Sequence, residues 1–159
     1  GETDFFKTIG RDSDFQWIFY GWDGIEARRR GIKLNTIMLK DLNPILDYYT
    51  PVIVTNENHI KNEKELVKRF MKAVGEGYEF SIKNPENASQ ILIKSAPELN
   101  KELVKQSQLY LSQEYQADAT KWGIQKEEVW KRYIQWLYNH KLIKKMVNVK
   151  NAFTNEFIE

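Results

Sequence analysis

The sequence contains no cysteine. That absence excludes disulfides, thiolate catalysis and cysteine-based zinc centres together. Its two histidines, His59 and His140, stand far apart and belong to no metal-binding motif. No apolar stretch approaches the ~18 residues that a membrane span needs, and no signal-peptide pattern is present. Charge of one sign is not in surplus either: 24 Lys and Arg face 22 Asp and Glu, for a formal net charge of +2. Such a balance does not predict phosphate-backbone binding, so no nucleic-acid partner is expected. The short basic runs Arg28-Arg29-Arg30 and Lys144-Lys145 read as solvated helix ends.

Catalytic signatures are missing as well. Gly75-Glu76-Gly77 sits inside a helical pattern and lacks the strand that a nucleotide loop requires. There is no Gly-x-Ser-x-Gly elbow and no supported Ser/His/Asp set. Asp12 and Asp14 read as a turn before a strand rather than a cation loop. No enzyme, cofactor or metal is expected.

What is present is a globular composition. The 159 residues are 42% hydrophobic, 29% charged and 13% aromatic, with five Trp and eight Tyr. This is enough chain for one domain, and a compact domain of this size buries ~68–70% of the surface its unfolded chain exposes. Surplus aromatics can serve a core, an interface or a ligand slot.

The first third reads as α/β. Residues 15–20 (Phe-Gln-Trp-Ile-Phe-Tyr) form a β-rich run, residues 33–39 a second and residues 51–55 (Pro-Val-Ile-Val-Thr) a third. Between the first two, Asp23 is placed to cap a short helix over residues 24–30, and Gly31 to stop it in a left-handed conformation. The remainder reads as helical. Asn62 and Glu65 resemble a capping box, followed by Leu66, Val67, Phe70, Met71, Val74 and Tyr78 on one face. Asn84-Pro85 opens the next helix and Pro97 ends it; Asn100 opens another. Trp122-Gly123 marks a turn, and residues 126–139 form the last clear helix, with Val129, Trp130, Tyr133, Ile134 and Leu137 on one face. Three strands cannot cover so many apolar helix faces, so partner strands are expected to be missing or to come from another chain. Residues 1–56 are read as a strand-rich segment and residues 57–159 as a helical one, together one partial domain.

Two segments stand out. In Tyr20-Gly21-Trp22-Asp23-Gly24-Ile25-Glu26 a strand gives way to a helix. Ligands of α/β sheets bind near such carboxyl ends of strands. Trp22 can stack on a flat ring, and Asp23 or Glu26 can accept hydrogen bonds from an amino group. Equally, Trp22 can be core, Asp23 a cap and Glu26 a solvated charge. In Asp47-Tyr48-Tyr49-Thr50-Pro51, adjacent tyrosines of an extended chain point to opposite sides, so one can pack while the other faces a cleft.

With the helical half, these segments carry a family resemblance. The chain is similar to the C-terminal half of the thiamine-pyrimidine-precursor-binding proteins of ABC importers, with nitrate-, taurine- and alkanesulfonate-binding proteins as wider relatives. The matching residues are Phe19-Tyr20-Gly21-Trp22-Asp23-Gly24-Ile25-Glu26-Ala27, Asp47-Tyr48-Tyr49-Thr50-Pro51-Val52-Ile53-Val54-Thr55-Asn56, Phe70-Met71-Lys72-Ala73, Gly77-Tyr78-Glu79-Phe80, Asn84-Pro85-Glu86-Asn87-Ala88, Ala96-Pro97-Glu98-Leu99, Trp122-Gly123 and Ala152-Phe153-Thr154-Asn155-Glu156-Phe157. Their order and spacing over nearly the whole chain make the match.

The resemblance implies an incomplete, helix-rich member of the type II periplasmic-binding-protein class with about three short strands, in which a solute sits between two lobes. It implies that Trp22 stacks on the pyrimidine and Glu26 contacts it, with Asp23, Asp47, Tyr48 and Tyr49 as further ligand residues. The Asp47-Tyr48-Tyr49 segment falls where the chain returns through the hinge. The implied setting is extracytoplasmic, in the periplasm or lipid-anchored on the outer face of the cell membrane, with an ABC permease as partner and the export signal outside this chain. Family proteins are roughly twice as long, and half a cleft exposes apolar surface that invites a homodimer or strand exchange. A fungal branch that makes the pyrimidine carries a cysteine-rich run where this chain reads Leu46-Asp47-Tyr48-Tyr49-Thr50, which argues against that enzyme. Two alternatives stay open: a receptor for nitrate, taurine or another sulfonate, and a self-associating fragment without autonomous function.

Overall fold

A computed structural model describes residues 5–158. Among them the elements are helical: α1 (Phe5–Thr8), a π-helical turn (Tyr20–Gly24), α2 (Ile25–Arg29), α3 (Leu39–Leu42), a 3-10 turn (Pro44–Leu46), α4 (Glu57–Asn62), α5 (Lys64–Lys83), α6 (Pro85–Ser95), α7 (Lys101–Glu114), α8 (Glu127–Asn139) and a 3-10 turn (Val149–Asn151). The only β pairing among the described residues is an isolated bridge between Ile9 and Ser13.

The three expected strands are therefore a correction. Residues 15–19, 32–38 and 52–56 lack regular secondary structure and enter no ladder. Their composition suits a sheet, but a strand is stable only when a second segment takes up its backbone N–H and C=O groups. Their side chains stay out: Phe15 is 88% exposed, Ile37 70% and Val54 82%. The end of the second expected strand, Leu39, is instead the start of α3.

The helix signals fared better, with two local corrections. Gly31 stops α2 with φ at +71°, where a Cβ would be strained. Pro85 opens α6, and Asn100 caps α7 by accepting from Leu103 N–H at 3.0 Å. Asn62 does not cap α5; it is the last residue of α4 and donates to Asn58, and the asparagine that caps here is Asn56, on α4 rather than α5, accepting from His59 N–H at 2.9 Å. Asp23 does not cap α2 either. Its Oδ2 accepts from Phe19 N–H at 3.1 Å and so closes the π turn from within.

The described chain forms two compact units that interleave along the sequence: residues 1–35 with 80–117, and residues 36–79 with 118–159. In the first, α6 packs along α7, and α7 also meets the π turn and α2. Its core is Ile25, Ala27, Leu103 and Val104, all 5% exposed or less. Burying an aliphatic side chain of this kind contributes roughly 1.5–3 kcal/mol. In the second unit, α8 packs on both 3-10 turns, around buried Ile134 and Phe157. Much of its cohesion is aromatic. Tyr48 stacks on Tyr133 at 4.2 Å, Trp130 on Phe153 at 5.6 Å, and Tyr78 on Trp122 at 4.3 Å. Asn155 ties the tail down by accepting from Gln125 N–H and donating to its carbonyl.

Candidate functional site

Within the first unit, the π turn and α2 present Trp22, Asp23 and Glu26 on consecutive turns of one backbone run. The turn is fixed from below. Ser107 Oγ, on α7 and 3% exposed, donates to Gly21 carbonyl at 2.5 Å. Space is tight at two glycines: a Cβ on Gly21 would stand 2.6 Å from Leu111 Cδ2, a terminal methyl that would have to shift, and one on Gly24 would enter the Tyr20 ring. Tyr20 in turn packs against Tyr110 at 5.3 Å. This support lets Trp22 stay 37% exposed on an otherwise tightly held turn.

Glu26 lies one helical turn on and is 5% exposed. Its carboxylate is held by two cations. Arg29 Nε donates to Oε2 at 2.6 Å and Arg29 Nη2 to Oε1 at 2.8 Å, while Arg30 Nε donates to Oε1 at 2.6 Å. The hydrogen bonds from Arg29 dominate and hold the carboxyl at a pKa of about 2, against the burial that opposes ionisation. Two oxygens offer about four acceptor positions, and these contacts use three, so Oε2 keeps one acceptor position. Arg30 also lies over the Phe6 ring at 4.3 Å. The arginine clamp escaped the sequence reading, although the i, i+3 and i, i+4 spacing from Glu26 was its signal.

Within the second unit, Asp47, Tyr48 and Tyr49 follow the 3-10 turn (Pro44–Leu46) and dock on α8. Asp47 accepts from Arg132 through its backbone carbonyl at 2.8 Å, leaving its exposed carboxylate outside that contact. Tyr48 stacks on Tyr133, which stacks on Trp136 at 6.1 Å. The packing and the neighbouring Tyr48 push the Tyr133 hydroxyl pKa upward, burial first. Tyr49 Oη accepts from Lys126 N–H at 2.8 Å, and its ring lies against Trp130 at 6.5 Å. Both tyrosines thus pack onto α8 or its N-terminal edge, Tyr48 on Tyr133 and Tyr49 on Trp130, which differs from the expected division in which one packs and the other faces a cleft. Tyr133 and Trp136 were missed as stacking partners because a helix-face pattern does not distinguish a core ring from a stacking one.

The sequence-selected residues thus form two groups, three on each unit. Among the described residues, no three or more His, Asp or Glu side chains gather as they would around a metal ion. None of the described helices is long and apolar enough to cross a membrane.

Comparison with known proteins adds names to this geometry. Over 122 residues the chain is 28% identical to the formylaminopyrimidine-binding protein of Halalkalibacterium halodurans, covering 71% of this chain and 37% of that protein. Over 141 residues it is 24% identical to the riboflavin-binding protein RibY of Chloroflexus aurantiacus, covering 84% of this chain and 39% of that protein. The matches thus reach less than two fifths of either relative's length. Residues 1–88, which hold all six selected residues, match the family described as NMT1/THI5 like. On that match, which takes in more than half of its length, the chain belongs to the NMT1/THI5-like family.

Proposed function

We propose that this chain is part of an extracytoplasmic solute-binding component of an ABC importer and takes a flat nitrogen heterocycle, foremost a thiamine pyrimidine precursor. The observation that carries the reading is the pairing of an exposed indole, Trp22, with an ionised carboxylate, Glu26, four residues on. An aromatic face stacks on a flat ring with an attraction of ~1–3 kcal/mol per base-like ring. A carboxylate held ionised accepts from a ring amino group without a proton change. Asp23 supplies a second acceptor beside Trp22. Tyr48 and Tyr49, with Asp47, present rings and a carboxylate on the second unit. The names of the two relatives support binding over catalysis, since both are binding proteins.

A riboflavin-like ring is the second reading, favoured by the relative named for riboflavin, whose match covers 84% of this chain. Trp22 stacks equally well on a larger flat ring. An anionic solute is less well supported: nitrate or a sulfonate calls for cationic donors, and two of the three arginines of the run at residues 28–30, Arg29 and Arg30, are turned onto Glu26.

Intrinsic tryptophan fluorescence tests the choice of ligand. Titrations with formylaminopyrimidine, hydroxymethylpyrimidine, riboflavin and taurine are expected to saturate with a heterocycle and stay flat with taurine. Saturation with taurine alone contradicts the reading.

A further inference from the structure

We infer that α5 carries a self-association face and that two copies of this chain pair through it in an antiparallel arrangement. The inner face of α5 is occupied: Tyr78 stacks on Trp122, and a Cβ built on Gly75 would stand 3.7 Å from the same indole. Its outer face is not. Leu66, Phe70, Ala73 and Gly77 recur at spacings of 4, 3 and 4 and all are exposed, Leu66 at 49% and Phe70 at 54%. Nothing stands within 4 Å of a Cβ built on Gly77. The 4, 3, 4 spacing is that of a coiled-coil seam.

Shape and charge select the second copy and its direction. In the antiparallel register, Phe70 faces Ala73 of the second copy and Leu66 faces its Gly77, so each large side chain meets a small one. The same register brings Arg69, which flanks the seam, beside Glu76 of the second copy, and the two-fold axis repeats that pair. Among the described residues, neither Arg69 nor Glu76 has an ion-pair partner within the chain. A parallel pairing stacks Phe70 on Phe70 and Gly77 on Gly77, and sets Arg69 against Val74 and Glu76 against Ser81, with no charge complement.

Sedimentation equilibrium of the chain tests this. Two helices meeting over four turns make a small interface, so dimerisation is expected in the range of ~10–100 µM. The mean mass rises from 18.9 kDa toward twice that value and no further. Arg69→Glu is expected to weaken the dimer about 10-fold, since it sets like charges together twice. Glu76→Arg acts the same way, and the double variant Arg69→Glu/Glu76→Arg restores the dimer. Circular dichroism confirms that the surface variants fold. A chain that stays monomeric to ~500 µM, well above that affinity range, overturns the inference. So does association that grows past the dimer, or a double variant as weak as the singles, since apolar clustering or a parallel pair has no reason to be rescued.

Discussion

Arg29 grips Glu26 with two parallel hydrogen bonds, Nε to Oε2 at 2.6 Å and Nη2 to Oε1 at 2.8 Å, in a carboxylate that is 5% exposed. The folded state therefore holds Glu26 ionised at a pKa of about 2, against an ordinary value of 4.5. A lowered folded pKa gives stability that is fully present above the unfolded value and is lost as pH falls through the folded one. The loss belongs between pH 4.5 and about 2. Because Arg30 is half exposed, solvent screens part of the effect, which is on the order of 1–2 kcal/mol. Urea unfolding across that range is expected to show the decline. Glu26→Gln is expected to be less stable at pH 7 and to flatten that part of the profile; an unchanged profile in the variant would place the acid sensitivity elsewhere.

The Ser107 hydroxyl supports the turn that carries Trp22. Ser107→Ala removes this donor from a half-buried Gly21 carbonyl, which costs about 0.5–1.5 kcal/mol. Denaturant midpoints are expected to fall accordingly. A neutral variant would mean that the turn does not lean on α7.

Two glycine substitutions are expected to act in opposite directions. Gly24→Ala drives a methyl into the Tyr20 ring, which itself packs on Tyr110, and is expected to cost about 1–3 kcal/mol. Gly77→Ala meets open space in the middle of α5 and is expected to add roughly 0.5–1 kcal/mol through a less disordered unfolded chain. Thermal unfolding at low protein concentration reads both, and matching signs would contradict the packing described.

On the second unit, Tyr48→Ala removes a ring stacked at 4.2 Å on Tyr133 and is expected to cost its buried area plus roughly 0.5–1.5 kcal/mol. Tyr48→Phe keeps the stack and is expected to retain most of the stability. Comparable losses in the two variants would assign the stabilisation to the hydroxyl instead.

Helix boundaries were legible in the sequence where a single residue type decides them. Gly31, Asn100 and Pro85 act locally, through a left-handed φ, a side-chain acceptor and a missing N–H, and no distant part of the fold can override them cheaply. The expected strands were not so decided. Residues 15–19 and 52–56 have strand composition, but a ladder is a property of two segments, and only one of each pair is found among the described residues. At the candidate site, residue type was legible and engagement was not. Trp22 and Glu26 could be picked out from the turn they share, yet whether Glu26 faced solvent or two arginines depended on side-chain directions that spacing alone leaves open. Asp23 was placed one turn too late, because an aspartate can accept from an N–H on either side of itself.

Isothermal titration calorimetry of the wild-type chain and of Trp22→Ala with formylaminopyrimidine tests the central claim most directly. The account predicts saturable binding at one site per chain. It predicts a loss of at least about 10-fold in affinity in the variant, matching the ~1–3 kcal/mol that a stacked ring contributes. Equal affinity in the two proteins would contradict the role assigned to Trp22, and the absence of binding by the wild-type chain would contradict the proposal that this chain recognises the heterocycle.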